Sequence, residues 1–144
     1  VDYVTTDLES NIAERTDVSL NSITTEDDEG TSTVQVDFTD MTTLYVEIPI
    51  LTSGLFIKAG IRQVDVITKE VLHTGSAYGN FSINGDMFGI GGKHVFDNGL
   101  LVKMEGTYTE YDSHSETSTT NADNTIQMTS LEGGNVTLSI GKSF

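Results

Sequence analysis

The last nine residues, Val136-Thr137-Leu138-Ser139-Ile140-Gly141-Lys142-Ser143-Phe144, constrain the fold more than any other stretch. Val136, Leu138, Ile140 and Phe144 share one parity, and Thr137, Ser139, Gly141 and Ser143 share the other. Successive side chains of a strand point to opposite faces, so this is a strand with one apolar face and one small, polar face. Two architectures accept it: the edge of a soluble sandwich, or a closed barrel that turns its apolar face to lipid.

The alternation recurs upstream. Residues 1–10 read as a short strand. From Thr33, one face carries Val34, Val36, Phe38, Leu44, Val46, Ile48 and Ile50; the other carries Gln35, Asp37, Thr39, Thr43, Tyr45 and Glu47. Only Asp40 and Thr42 interrupt the apolar side, which predicts one long strand over 31–50, bent near Asp40. Pro49 lacks an N–H and suits a strand end. Leu51-Thr52-Ser53-Gly54 predicts a tight turn into a strand over 55–68, where Leu55, Ile57, Ala59 and Ile61 alternate with Lys58, Gly60 and Arg62. Pairing Ile50 with Leu55 sets Glu47 opposite Lys58 and Thr43 opposite Arg62, so charges meet on one face. A strand over 81–96 has its faces blurred by Gly89, Gly91 and Gly92, which mark a bulge or a close backbone approach. Asp97-Asn98-Gly99 is a hairpin signal. Strands over 100–111 and 127–144 complete a set of six.

Connections at 51–54 and 97–99 are short, whereas 11–30, 68–80 and 112–125 are long and polar. Strict alternation of short and long connections is what an up-and-down meander gives when one end has tight turns and the other has long loops. Residues 113–123 hold no apolar anchor and are expected to form an exposed tip that tolerates insertion. The run Glu26-Asp27-Asp28-Glu29 lacks the ligand alternation of a calcium loop and reads as a solvated loop.

The 144 residues suffice for a single domain, 1–144, and contain no Cys. No disulfide framework or thiolate metal site is therefore possible. A net charge of −15 argues against a nucleic-acid partner. No apolar run is long enough for a membrane-spanning helix, a test to which barrel strands are blind.

Tyr45, Glu47, Lys58, Arg62, Lys103 and Glu105 all oppose the apolar stripes. In a small barrel they form an interior charge network that must pair within itself, Glu47 with Lys58 and Arg62, and Glu105 with Lys103. A sandwich gives the same alternation with the faces exchanged. No catalytic constellation is found, and no cofactor or metal is expected. His73, His94 and His114 lack metal-ligand spacing. Gly89-Ile90-Gly91-Gly92 lacks the Lys-Ser/Thr and helix of a phosphate loop. The chain is not expected to be an enzyme.

The terminal strand resembles the insertion signal of Gram-negative outer-membrane β-barrel proteins, whose last residue is usually Phe. Asp40–Glu47, Lys58-Ala59-Gly60, Asp65–Glu70, Gly75–Asn80 and Leu138–Phe144 resemble small outer-membrane barrels of marine bacteria and their phages. It departs at Lys142, where the signal usually has an aromatic or apolar residue. The resemblance implies an all-β, antiparallel, up-and-down transmembrane barrel in the Gram-negative outer membrane. Its partners would be the lipid bilayer, lipopolysaccharide and, during insertion, the barrel-assembly machinery, which would read Val136, Leu138, Ile140 and Phe144. About six strands of an eight-stranded barrel are present, implying a first hairpin ahead of Val1. The expected role is structural and surface-exposed, with a side-chain-filled interior and acidic extracellular loops whose ligand is unnamed. Alternatives are a narrow pore for small solutes, or a secreted or virion-borne soluble β-sandwich adhesin.

Overall fold

The structure, a computed structural model, describes residues 1–5, 7–20, 27–73, 75–120 and 122–142. Its strands are β1 (Asp2–Val4), β2 (Leu8–Glu9), β3 (Ala13–Leu20), β4 (Asp27–Ile50), β5 (Leu55–Val71), β6 (Phe81–Val95), β7 (Leu100–Tyr111), β8 (His114–Thr117), β9 (Thr125–Met128) and β10 (Glu132–Lys142). The chain is all-β, and its main antiparallel sheet is curled into a half-barrel. The order is a meander, β4-β5-β6-β7-β10, with β1, β2 and β3 successively along the outer edge of β4. Among the described residues, that N-terminal edge and β10 are the free edges. A separate β8–β9 hairpin lies within the connection from β7 to β10.

The β4–β5 hairpin has the register the turn chemistry predicts: Ile50 opposes Leu55, Glu47 opposes Lys58 and Thr43 opposes Arg62. At its turn the Ser53 hydroxyl donates to the Ile50 carbonyl at 2.6 Å. Leu51 there adopts a φ of 51°, a left-handed conformation that costs a residue with a Cβ.

One long parity does not mean one face. Between Thr39 and Thr42 the register slips by one residue, and Asp40 takes a φ of 50°. Such a bulge sets two residues against one and reverses the side-chain direction beyond it. Phe38 therefore pairs with Val66 and faces the concave side, whereas Leu44 pairs with Ile61 and faces the convex side. On the concave side a small core of Val64, Val66, Ile83 and Tyr111 gathers Val36, Phe38, Met41, Phe81, Met128 and Leu131. Beyond the bulge the apolar residues lie outside: Leu44 and Val46 are 57% and 60% exposed, and Ile48, Ile57, Ile61, Phe88, Ile90, Met104, Val136, Leu138 and Ile140 are exposed likewise. Leu100 is exposed and Val102 half-buried on the same convex face.

Three expected loops differ from the structure. Residues 11–30, read as loop, contain β3 paired with the start of β4, Ala13 opposite Val34 through Leu20 opposite Asp27. Asp27–Glu29 of the acidic run thus begins a strand, and Glu26 lies outside the described residues. The described side chains of β3, Ala13 to Thr16, are exposed and cover little apolar surface, so alternation gave no signal there. β5 runs on to Val71, past the expected end at 68. Residues 112–125 are an anchored flap: Ser118 is buried and the Thr119 N–H donates to Ala77 O at 2.8 Å. Backbone and hydroxyl hydrogen bonds do the anchoring, so no apolar residue betrays it.

Candidate functional site

The sheet register places Tyr45, Glu47, Lys58, Arg62, Lys103 and Glu105 together on the concave face. What lets them meet is β6. Its concave positions opposite Lys58 and Glu105 are Gly89 and Gly91, so side chains from β5 and β7 reach each other across a bare strand. A Cβ on Gly91 would stand 2.4 Å from Phe56 Cζ and 2.7 Å from the Met104 carbonyl. The glycines thus mark close approach and not a bulge, since β6 keeps continuous register with both neighbours.

Glu105 is the centre of the network. Its Oε1 accepts from Lys58 Nζ at 2.8 Å, and its Oε2 lies 2.9 Å from Lys103 Nζ. Lys58 and Glu105 are only 3% and 7% exposed, so the ions compensate one another away from water. Lys103 also binds Glu47, which lies 4.0 Å from Lys93. Lys58 reaches Asp2 at 3.4 Å and sits 3.7 Å above the centroid of the Tyr45 ring. Lys103 lies 4.9 Å from the Phe56 ring centroid, a second cation–π contact.

The expected Glu105–Lys103 pair is present, but Glu47 pairs differently from the expectation. Glu47 does not take Lys58 or Arg62; it takes Lys103, three strands away in the sheet. Curvature brings β4 and β7 together across the hollow, and a flat reading of neighbouring strands does not contain that contact. Arg62 donates from Nε to Thr43 Oγ1 at 2.9 Å, from one terminal nitrogen to Thr109 Oγ1 at 3.1 Å, and from the other to Met87 Sδ at 3.8 Å. Sequence reasoning also missed Asp2, Lys93, Phe56 and Thr109. Their parity opposite the apolar stripe was the available signal.

Val136, Leu138 and Ile140 lie on the convex face of the edge strand β10, opposite Gly106, Met104 and Val102 of β7. Phe144 lies outside the described residues.

At the end of the half-barrel opposite the tight turns, the flap closes over the concave side. Asn124 Nδ2 donates to Ser76 Oγ at 2.7 Å, and the Thr120 hydroxyl donates to Gly75 O at 2.9 Å. Under it lies a cavity of about 560 Å³ lined by Arg15, Glu70, Tyr78 and Asn124 among others. Glu70 is committed there to structure, accepting from the Tyr78 N–H at 2.6 Å. His114 stacks on Phe81 with ring centroids 4.0 Å apart and contacts Glu116 at 3.0 Å. Among the described residues, no three His, Asp or Glu side chains gather as a metal centre. The arrangement pairs its ions internally and orders the hollow. Compared with known proteins, the chain matches no family model, no curated sequence and no solved structure.

Proposed function

We propose that this chain forms the wall of a transmembrane β-barrel of the Gram-negative outer membrane, structural and surface-exposed, with a side-chain-filled interior. The observation that carries the reading is the inversion of the sheet beyond the bulge. Its ion pairs are buried on the concave face while an unbroken apolar surface is exposed on the convex face. In water such a surface is a liability, because exposed contiguous apolar patches mark contact with lipid or protein. A sandwich buries that face and exposes the charged one.

The band has a suitable height. From Leu100 to Tyr108 on β7 are eight residue steps, about 27 Å along the strand and roughly 20 Å along the normal at a 40° tilt. Outer-membrane barrels carry an apolar band of about 25 Å edged by aromatic residues, and Phe96 and Tyr108 fall at the two edges. The flap and the acidic β3–β4 hairpin would then face the outside.

Refolding tests this. The chain should stay aggregated in plain buffer and gain β structure and protease resistance in detergent micelles or liposomes. A monodisperse, folded monomer in buffer alone would overturn the proposal in favour of a soluble adhesin. Planar-bilayer conductance of the refolded protein separates a plugged barrel, which should be silent, from a narrow pore.

A further inference from the structure

We infer, on the membrane reading above, that lipid contact stops along a line oblique to the strands, dropping toward the tight turns from β4 to β10. Beyond it, the flap-side parts of β4 and β5 stand in water as a one-sided outer wall. The sheet carries two opposite arrangements. Toward the tight turns, charges are buried on the concave face and apolar side chains are exposed on the convex face. Toward the flap the faces are exchanged. Val64, Val66 and Ile83 are buried on the concave side, while Gln63, Ser82, Asn84, Asp86, Glu110 and Glu132 are exposed on the convex side. One medium does not suit both parts. Water leaves the turn-side apolar surface uncovered, and hydrocarbon would receive the flap-side carboxylates, which are expensive there. The change of medium therefore falls where the convex face turns from apolar to polar.

That line is not square to the strands. A single cross-strand row holds Leu44, Ile61, Asp86, Glu110 and Glu132. On β4 and β5 the row is apolar. On β6 and β7 the first apolar convex residues are Phe88 and Tyr108, two positions nearer the turns, and on β10 it is Val136, four positions nearer. Four residues over the four strand steps from β4 to β10, at about 3.4 Å per residue and about 4.8 Å between strands, make a slant of about 35°. Strands of a closed barrel tilt by about 35–45°, so a membrane plane cuts them at such an angle. Aromatic residues mark the line: Phe88 and Tyr108 lie on it, and Tyr3 lies beside it, opposite Thr42. On the high side, β5 continues from Gln63 to Val71, about 27 Å of strand and about 22 Å of height. On the low side, β7 ends at Tyr111, three residues past Tyr108. The flap rises from this low side and bonds to residues 75–77 just beyond β5, the Thr119 N–H donating to Ala77 O at 2.8 Å. It closes in water the side that the strands leave low.

Nitroxide labels on single cysteines, introduced into a chain that has none, read the line in liposomes through collisions with oxygen and with a water-soluble nickel chelate. Labels at Ile90 and Val136 should be in lipid, and labels at Asp65 and Ser82 in water. Ile61 and Glu110 share a row, yet the oxygen-to-nickel ratio should be severalfold higher at Ile61 than at Glu110. Leu44, in the same row, replaces Ile61 if a label there blocks insertion. Equal ratios at Ile61 and Glu110, or lipid contact at Asp65 and Ser82, overturn the oblique boundary while Ile90 and Val136 in lipid still uphold the membrane reading. Water contact at all six sites overturns both.

Discussion

Replacing Glu105 by Gln keeps the volume and one acceptor while removing the charge on which two lysines converge. Lys58 then loses its closest carboxylate, at 2.8 Å, in a position only 3% exposed. Removing one partner of a buried ion pair costs about 3–5 kcal/mol, because the other charge is left uncompensated. Two residual contacts soften the loss. Asp2 stays 3.4 Å from Lys58 but has a half-exposed side chain, a setting worth only about 0.2–1 kcal/mol. Lys103 keeps Glu47. The expected destabilisation is therefore near the lower end, about 3 kcal/mol. A double-mutant cycle isolates the pair: Lys58→Met with Glu105→Gln should be less damaging than the sum of the single changes, by about 2 kcal/mol. The chain has no Trp, so urea unfolding in micelles is followed by circular dichroism. Asp65→Asn, where an exposed carboxylate accepts from Ser82, is the control and should stay within about 0.5 kcal/mol. A loss below about 1 kcal/mol for Glu105→Gln would mean that water solvates the concave face, and the argument for an interior network would fail.

Leu138→Arg should cost about 2–4 kcal/mol in liposomes, whereas Thr137→Arg on the opposite face of β10, across from Glu105, should be tolerated; equal losses in liposome refolding would contradict a lipid-facing stripe. Gly91→Ala should destabilise by about 1–3 kcal/mol, since its methyl meets Phe56 and a backbone carbonyl, while Gly134→Ala meets nothing within 4 Å and should be neutral in the same urea titration. Leu51→Gly should stabilise by about 0.5–1 kcal/mol by removing a left-handed Leu from an exposed turn, read as a shift of the urea midpoint. An epitope inserted between Thr119 and Thr120 should loosen the flap and expose 75–77 to protease, because both residues are hydrogen-bonded to that loop.

The sequence made legible whatever depends on nearest neighbours. Pro49, the 51–54 turn and the alternation around them were enough to place every pair from Thr43–Arg62 to Ile50–Leu55. Asp97-Asn98-Gly99 likewise placed the β6–β7 turn. The six charged and aromatic residues assigned to one face do share it. Of their partners only Lys103 for Glu105 was legible, because Lys103 meets Glu47 only when the sheet curls, and Lys58 meets Glu105 only because β6 is bare between them. The β3 strand was hidden for a different reason: its described side chains, Ala13 to Thr16, are exposed, so nothing forces that stretch to alternate. The flap escaped because serine and threonine hydroxyls anchor it, and these look the same in sequence whether anchored or free.

The slip between Thr39 and Thr42 makes chain length at this point a matter of polarity. Val36, Phe38, Leu44 and Val46 have the same parity by number, yet the extra residue sends the first two into the core and the last two outward. Deleting Met41 would leave the composition nearly unchanged and restore an uninterrupted ladder with β5. It would also turn Val36 and Phe38 out of the core and bring Gln35 and Asp37 in. A single lost codon would therefore turn one half of the longest strand inside out, without introducing any new side chain.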